Sequence, residues 1–596
     1  MNNMKSNNNN NGITDTYSVL EKSVYAALET YSNVHRGSGH YSMTTTRLFE
    51  QARKIILEYL VLSKRKYVLI FCTPRRASIL TKQIKSSSYQ VLSGRDFGLP
   101  LGVRALAVIR NALPGGVPFQ TGGGSARLIS GDWVVWESAP DRFESGTPAI
   151  INVIAFARAL QIIQQSGNDI FKNPAGEKLS ARDILYHDEL ENYTGEDLLD
   201  KLKQSLIGRG IPVPTAEGLK PFINLDYAAS TPTFLPVWNA VRQTWRQSKQ
   251  VQREIIQEVR KICADLLGAP QADYDMVFTS NTTEAINLAA ESIGREKHHE
   301  IEPVVITTLL EHSSNDLPWR VNPGHSLITL PIDKEGFLDL NGLDKLLNDH
   351  NVGKKFGKKR IKLVAVSGAS NVLGTFNNLA EISRIVHKYG ARLLVDAAQL
   401  VAHRKVDLEA CGADYFTFSA HKVYAPFGTG VLVVKKGLLS FGSDEMELIN
   451  SSGEENVGGL AALGKALLLL KRIGMDVIKE EEQQLTEKIL KGLAQIPEIQ
   501  IYGITDTDSP TFYQRGGVVV FNLIDKMSDV VARGLALKGG IGIRYGCHCT
   551  HVLIKHLLNV GPKLEQFQKF IVTLLPRVQL PGVARVSLGI GNSEEE

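Results

Sequence analysis

Short apolar runs separated by amphipathic stretches follow one another through most of the second half of the chain. The runs lie at 276–279, 304–307, 363–367, 392–396, 415–419 and 430–434. Buried strands that alternate with helical patterns are typical of a mainly parallel sheet with helices on its faces. We therefore predict an α/β fold from residue 222 onward.

The N-terminal third carries a less regular pattern. It predicts helices over 17–60 and 149–163 and strands over 67–72, 103–109 and 133–136. Residues 167–220 are polar, with short helix-like pieces at 180–185 and 195–206, and we expect a connector with little core of its own. The chain begins with an Asn-rich stretch, which predicts a disordered tail.

An internal repeat links the two halves of the chain. Ser93–Gly102 aligns without gaps on Ser419–Gly428, at an offset of 326 residues. Three further matches keep the same order: 53–55 on 260–262, 69–80 on 277–288, and 155–160 on 462–467. Their offsets are 207, 208 and 307, so the first copy lacks 118 residues of the second and has 19 additional residues around Gly122–Gly124. Repeats in a fixed order indicate a duplicated module.

These patterns divide the 596 residues into four predicted parts. They are a tail (1–16), a shortened N-terminal module (17–166), a connector (167–221) and a complete C-terminal module (222–596). Within the C-terminal module we predict a large domain over about 255–450 and a small domain over about 451–596.

Composition argues against several classes of protein. The 67 Lys and Arg nearly balance the 62 Asp and Glu, and the dense basic patch of nucleic-acid-binding proteins is absent from the sequence. No apolar run approaches the ~18–20 residues of a membrane helix. The five cysteines are odd in number and mostly isolated, which favours a reducing, cytoplasmic compartment over a disulfide scaffold. With no second cysteine pair to complete a site, we expect no bound metal.

One pair of residues in the C-terminal module suggests chemistry. Asp396 ends a predicted buried strand, and Lys422 follows it by 26 residues, next to His421. Ligands bind at the carboxyl ends of strands in open α/β sheets, and a lysine in a compact turn is a candidate Schiff-base amine. Taken singly, each residue is more simply explained as a strand-end cap or a surface lysine.

Four further motifs of the C-terminal module change that interpretation. They are Asn224–Pro232, Thr279–Glu284, Glu311–His312 and Ser370–Gly374. Together with Asp396 and Lys422 they resemble the class V aminotransferases, in particular the cysteine desulfurases of the selenocysteine-lyase-like group. The resemblance covers 222–596. It implies the fold of the fold-type-I pyridoxal-phosphate enzymes, which has a mainly parallel seven-stranded large domain and an α+β small domain.

The resemblance also implies roles around a pyridoxal 5′-phosphate cofactor. Lys422 would form the Schiff base and shuttle protons, Asp396 would pair with the ring nitrogen, and Gln399 would bond the ring hydroxyl oxygen. His312 would stack on the ring and act as acid or base. The phosphate contacts would come from Thr282, Thr283, Ser419 and His421, and Asn371 would lie near cofactor and substrate.

Near the C-terminus, the segment from Arg544 to Thr550 resembles the desulfurase loop in which a cysteine follows an arginine by five positions. Cys549 would then be the nucleophile, and Arg585 would bind the substrate carboxylate with Arg544 nearby. The sequence departs from the family in one place, because Cys547 stands where a histidine is usual. A resolving pair, half a metal site and an incidental cysteine remain open.

The N-terminal module lacks the residues for such a site. Asp96 and Arg95 stand at the positions of Lys422 and His421, and Pro74-Arg75-Arg76 replaces Thr282-Thr283-Glu284. It keeps Gly123 and Thr147, in segments resembling those that reach across the family dimer to the partner's phosphate. We expect an intramolecular pseudo-dimer in which these two residues complete one site, with His35 and Arg36 on the substrate side. A degenerate module that only stabilises the fold, a rearranged gene and an additional homodimer stay open.

The function expected from the resemblance is removal of sulfur from L-cysteine, giving alanine and a persulfide on Cys549 that passes to a sulfur-acceptor protein. Two alternatives remain. Another class V activity (aminotransferase, lyase or epimerase) would not use Cys549. A catalytically silent assembly partner would need neither Cys549 nor Lys422. Residues 591–596 carry a helix-start signal where the family continues into a helix, so the sequence is expected to stop early.

Overall fold

The computed structural model describes residues 16–34, 37–172, 177–322, 324–575 and 578–596. The α-helices are α1 Thr16–Glu29, α2 His40–Tyr59, α3 Pro74–Lys82, α4 Ile150–Ser166, α5 Ala181–Tyr186, α6 Gly195–Ser205, α7 Leu235–Trp245, α8 Lys249–Leu267, α9 Thr282–Gly294, α10 Leu317–Val321, α11 Leu340–Leu347, α12 Leu379–Lys388, α13 Leu408–Cys411, α14 Ser443–Glu454, α15 Val457–Ile473, α16 Met475–Leu493, α17 Ser528–Gly539, α18 His551–Leu557 and α19 Pro562–Leu574. The strands are β1 Tyr67–Cys72, β2 Tyr89–Ser93, β3 Arg104–Ile109, β4 Ala126–Ile129, β5 Val134–Trp136, β6 Pro212–Thr215, β7 Gly218–Pro221, β8 Ile223–Asn224, β9 Tyr274–Thr279, β10 Glu302–Thr308, β11 Ser326–Leu330, β12 Lys359–Ser367, β13 Arg392–Asp396, β14 Tyr415–Ser419, β15 Gly430–Lys435, β16 Ile499–Ile501, β17 Val518–Leu523, β18 Ile541–Gly542, β19 Arg544–Gly546 and β20 Val583–Ser587. The predicted tail lies outside the described residues except for Thr16.

A seven-stranded sheet forms the centre of the C-terminal module, in the order β11-β10-β12-β13-β14-β15-β9. Neighbours run parallel except β15, which is antiparallel to β14 and to β9. The mainly parallel sheet predicted from the apolar runs is confirmed. Asp396 ends β13 and Ser419 ends β14, so both reach the same edge of the sheet.

A second sheet of four antiparallel strands, in the order β16-β17-β20-β19, forms the core of the small domain. Helices α16 and α17 pack on it, as expected for an α+β domain. Its register sets Arg544 on β19 directly opposite Arg585 on β20. Two arginines that are 41 residues apart in the sequence are therefore neighbours on adjacent strands.

The N-terminal module contains a three-stranded antiparallel sheet in the order β1-β3-β2. Its register pairs Tyr67 with Ile109, and the edge of the large sheet pairs Tyr274 with Lys435. The first residues of these pairs are 207 positions apart and the second residues 326, whereas the sequence match of 69–80 on 277–288 has an offset of 208, so the structure shifts the match of β1 on β9 by one residue. Strands β1-β3-β2 and β9-β15-β14 therefore share strand order, direction and register.

An arginine recurs at the same place on both sheets. The guanidinium of Arg53 lies 4.8 Å from the ring centroid of Phe71, and that of Arg260 lies 4.7 Å from the ring centroid of Phe278. Each arginine also donates to the carbonyl oxygen two residues before its phenylalanine. A cation held over an aromatic face and bonded to the strand backbone fixes the helix against the strand in both modules.

The connector is less independent than its composition suggests. Helices α5 and α6 form close to the predicted positions, but Leu185, Leu198 and Leu202 are fully buried in the main core. The apolar residues of these short helices share one face and pack against α15, so the segment contributes to the core of the C-terminal module.

The predicted helix over 17–60 is two helices. α1 ends at Glu29 and α2 begins at His40. Between them, Asn33 donates a side-chain hydrogen bond to the carbonyl oxygen of Ala229, and Tyr31 lies 2.7 Å from Ser230 through their hydroxyl oxygens. The interruption exists because this loop contacts the C-terminal module.

Within the described ranges, no helix is both long enough and apolar enough to cross a bilayer. Nor do any three His, Cys, Asp or Glu side chains among those residues converge on a position suited to a metal ion.

Candidate active site

A cavity of about 350 Å³ opens at the carboxyl ends of β12, β13 and β14, between the two modules. This volume suits a cofactor or a small ligand. The cavity is lined by fourteen of the residues singled out in the sequence: Gly123, Thr147, Thr282, Thr283, His312, Asn371, Asp396, Gln399, Ser419, His421, Lys422, Arg544, Cys549 and Arg585. Predicted site residues from both modules therefore meet in one place.

Lys422 ends the short turn that follows β14 and lines the cavity. Burial, together with the positive charge of Arg585, lowers the pKa of its amine to about 8, although Asp396 acts in the opposite direction. A substantial fraction of this lysine is therefore neutral near physiological pH, as a nucleophilic amine must be.

Asp396 is a buried carboxylate at the end of β13. Its Oδ1 accepts a hydrogen bond from the Ala398 N–H at 3.0 Å, and burial raises its pKa. It makes no ion pair with any residue that the structure describes. Gln399, three residues on, donates from Nε2 to the Ala228 carbonyl oxygen at 2.7 Å. A buried acid without a cationic partner favours a positively charged ligand atom beside it.

The N-terminus of α9 faces the cavity. Asn281 caps the helix by accepting the Glu284 N–H at 2.9 Å, and Thr282 donates its backbone N–H to Ser419 Oγ at 2.6 Å. The hydroxyls of Thr282 and Ser419 lie 2.7 Å apart. Hydroxyls and amides at the start of a 13-residue helix form a site suited to an anion.

Ser314 connects His312 with Thr283 and Gly123. It was not identified from the sequence. Its hydroxyl lies 3.0 Å from His312 Nδ1 and 2.6 Å from Thr283 Oγ1, and it accepts the Gly123 N–H at 3.3 Å. Its position two residues after His312 was the available signal. Ser314 fixes the imidazole relative to the start of α9.

His421 is a buried histidine in the short turn that follows β14, next to Lys422. Its Nδ1 lies 3.3 Å from Ser230 Oγ, and burial lowers its pKa to about 3. The imidazole is therefore neutral at physiological pH and acts as a hydrogen-bonding group.

Cys549 lies in a tight turn. The Thr550 N–H donates to the Cys547 carbonyl oxygen at 2.8 Å, and the two central residues, His548 and Cys549, have φ of 49° and 55°. Two consecutive left-handed residues define a type I′ turn. The Ser313 N–H donates to the Cys549 carbonyl oxygen at 2.7 Å. The turn is thus fixed to the segment that carries His312.

Arg544 and Arg585 share one acidic partner that the sequence did not reveal. Asp226 lies 3.1 Å from Arg544 Nε and 3.0 Å from Arg585 Nη2. Arg585 also donates to the Asn371 carbonyl oxygen at 2.9 Å, while its Nε has no hydrogen-bond partner among the described residues. The buried guanidinium therefore has one donor without a partner among the described residues, and Arg585 lines the cavity. Asp226 belongs to the Asn224–Pro232 motif, but nothing local indicated its partners.

Residues of the N-terminal module close the cavity on the side of α9. Asn281 donates from Nδ2 to the Thr147 carbonyl oxygen at 3.0 Å. A Cβ added at Gly146 would lie 2.6 Å from Asn281 Oδ1, and one at Gly123 would lie 2.7 Å from His312 Cε1. The close approach of the two modules requires glycine at both positions.

The family model for "Aminotransferase class-V" matches residues 64–204 and 223–596. The chain belongs to the class V aminotransferase family. A cysteine desulfurase from Enterobacter sp. (strain 638) is 32% identical over 364 residues, which are 57% of this chain and 79% of that protein. One from Klebsiella pneumoniae subsp. pneumoniae is 31% identical over 411 residues, 63% of this chain and 91% of that protein.

Solved structures agree with this family assignment. The apo structure of a cysteine desulfurase from Thermococcus onnurineus NA1 superposes with a TM-score of 0.51 at 26% identity, covering 63% of this chain and 91% of that one. The chain is accordingly a pyridoxal-phosphate enzyme of the class V family.

The residues present fit the cofactor of class V enzymes. The anion-suited start of α9 matches a phosphate, and the buried acid Asp396, free of ion pairs with the described residues, matches a protonated ring nitrogen. Lys422, with a pKa of about 8, matches the aldehyde. His35 and Arg36, predicted on the substrate side, lie outside the described residues.

Proposed function

We propose that this class V enzyme is a cysteine desulfurase, which converts L-cysteine to alanine and retains the sulfur as a persulfide on Cys549. One observation carries the proposal: Cys549 and Lys422 line the same cavity, close enough for the cysteine to raise the pKa of the lysine. The similarity to cysteine desulfurases at 31–34% identity supports the same activity.

The chain's own residues divide the work. The Arg585 guanidinium, which lines the cavity, binds the substrate carboxylate, while Asp226 holds it in position. Bound pyridoxal phosphate supplies an electron sink for the substrate's α-carbon. Lys422 takes up and returns protons near that carbon, and His312 serves as a second acid or base on the side of Ser314.

Cys549 performs the sulfur transfer. Its thiolate attacks the sulfur of the bound substrate, a sulfur–sulfur bond forms, and the carbon–sulfur bond breaks. The electron pair stays with the carbon fragment, which takes up a proton to become alanine. Rigid anchoring of the turn by Ser313 and Asn371 holds the nucleophile at the cavity wall.

We further propose that the N-terminal module is a shortened duplicate that acts as a built-in partner subunit and completes the site with Gly123 and Thr147. The common register of the two sheet edges and the recurring Arg53 and Arg260 support duplication. Asp96, at the position of Lys422, leaves this module without an amine, so one chain holds one site.

Product analysis tests the activity. The holoenzyme is incubated with L-cysteine, and alanine and sulfide are measured in wild type, Lys422→Ala, Cys549→Ser and the control Cys411→Ser, a half-buried cysteine on α13. We expect both products from wild type and Cys411→Ser only. Alanine release that survives Cys549→Ser would favour another class V activity, and bound cofactor without any turnover would favour a silent assembly partner.

A second experiment tests the role of the N-terminal module. Thr147→Ala removes the hydroxyl but keeps the backbone carbonyl that Asn281 contacts. We expect weaker cofactor affinity than in wild type and in Thr573→Ala, which changes an exposed helix position. Equal cofactor affinity in all three proteins would show that Thr147 does not contribute to the site, and would favour an N-terminal module that only stabilises the fold. Cytoplasmic location and a sulfur-acceptor protein remain predictions.

A further inference from the structure

The turn that carries the proposed nucleophile contains a second cysteine. Cys547 is the first residue of this turn and Cys549 the third. A β-turn brings its first and fourth Cα atoms within about 7 Å. With steps of about 3.8 Å, the Cα atoms of the two cysteines lie roughly 5–6 Å apart, inside the range that two bonded sulfur atoms can span.

The two cysteines differ in their surroundings. Cys549 lines the cavity and interacts electrostatically with Lys422 and with Arg585. Cys547 is also half-buried, but it is not one of the residues that line the cavity. Of the two cysteines, Cys549 is therefore the one that contributes to the cavity lining.

The backbone around the two residues also differs. Cys549 is held through its carbonyl oxygen, which accepts the Ser313 N–H at 2.7 Å and the Ser313 hydroxyl. Cys547 follows Gly546, which has φ of 102° and open space where a side chain would be. Cys549 is therefore tied to the segment of Ser313, and Cys547 is tied within the turn through the Thr550 N–H, which its carbonyl oxygen accepts at 2.8 Å.

We propose that Cys547 is a sulfur-relay residue, which receives the sulfane sulfur from Cys549 and presents it outside the cavity to a thiol acceptor. The inference rests on the proposed desulfurase activity.

The transfer needs no oxidant or reductant. The Cys547 thiolate attacks the outer sulfur of the Cys549 persulfide, and a bond forms between Cys547 Sγ and that sulfur. The bond from the outer sulfur to Cys549 Sγ breaks, and its electron pair stays on Cys549 as a thiolate. The proton on the outer sulfur moves with it, so a persulfide and a thiolate exchange places.

Attack on the inner sulfur would have a different result. It would join Cys547 to Cys549 in a disulfide and release hydrosulfide, which leaves the enzyme inactive until a dithiol reduces it. The two reactions differ in mass by the retained sulfur atom and in the fate of the next turnover.

Mass spectrometry locates the sulfur. Holoenzyme is mixed with a stoichiometric amount of L-cysteine and no other thiol, alkylated and digested, and the peptide from Tyr545 to Lys555 is fragmented between the two cysteines. We expect the additional sulfur on Cys547 in wild type and in the control Cys411→Ser. In Cys547→Ser it should stay on Cys549, and its transfer to 2-mercaptoethanol should be about fivefold slower because thiol access limits exchange.

Three results would overturn the relay. Persulfide confined to Cys549 in wild type, or a Cys547–Cys549 disulfide with free sulfide, would refute the relay but leave the desulfurase activity intact. Absence of persulfide from wild type, Cys411→Ser and Cys547→Ser alike would refute the activity and the relay together.

Discussion

Gly123 of the N-terminal module approaches the imidazole of His312 so closely that a Cβ on this glycine would lie 2.7 Å from Cε1. Its N–H donates to Ser314, which also contacts His312 Nδ1. The orientation of the histidine in the C-terminal module thus depends on a backbone segment from the other module.

Gly123→Ala should weaken cofactor binding by about 10–100-fold, because overpacking costs ~1–3 kcal/mol and the imidazole must move. Gly131→Ala is the matched control, since Gly131 lies between β4 and β5, eight residues further along the same module, with nothing within 4 Å of an added Cβ. Fluorescence titration of apoprotein with pyridoxal phosphate measures both. Equal affinities would show that the contact with His312 does not shape the site.

The pKa of Lys422 predicts how cofactor loading depends on pH. Since the neutral amine is the reactive form and its pKa is about 8, the loading rate should rise with pH and level off above about 8. Asp396 raises this pKa, so Asp396→Asn should shift the midpoint to lower pH. Stopped-flow absorbance of apoprotein mixed with pyridoxal phosphate gives both profiles. A midpoint near the ordinary lysine value, or an upward shift in the variant, would contradict this assignment.

Asp226 should stabilise the fold as well as position the substrate arginine. Asp226→Asn leaves buried Arg585 without its ionic partner, and we expect a loss of about 3 kcal/mol in the free energy of unfolding. The KM for L-cysteine should rise more than kcat falls. Glu594→Gln, which removes an exposed ion pair with Lys488, is the control and should cost less than ~1 kcal/mol. Urea unfolding that gives equal values for both variants would contradict the prediction.

The contact between the modules at Glu284 should also matter for stability. Its carboxylate accepts a hydrogen bond from Thr73 and lies 3.6 Å from Arg76 Nε, both in the N-terminal module. Glu284→Gln leaves Arg76 buried without an ionic partner, so we expect a lower urea midpoint than for Glu381→Gln, an exposed pair with Arg384. Similar midpoints would mean that this contact does not join the modules.

The site residues whose positions could be predicted are those at the ends of strands that the apolar pattern reveals. Asp396 and Ser419 end runs of buried apolar residues, and the observed strands end at the same two positions. Lys422 follows the second strand directly, so it too could be placed at the edge of the sheet.

Contacts between distant segments could not be predicted. Asp226 meets Arg585 across 359 residues of sequence, and Ser314 meets Gly123 across 191. The first pair depends on the packing within the C-terminal module and the second on the packing of the two modules, and periodicity encodes neither. The loop at Asn33 interrupts a helical pattern for the same reason, because its partner Ala229 lies in the other module.

The central claim is that both modules of one chain build one complete cofactor site. Light scattering coupled to size-exclusion chromatography, with pyridoxal phosphate quantified in the monomer peak, tests it most directly. The account predicts one bound cofactor for each 65.5 kDa monomer. A monomer without cofactor, with binding restricted to a dimer peak, would contradict it, and so would two cofactors in each chain.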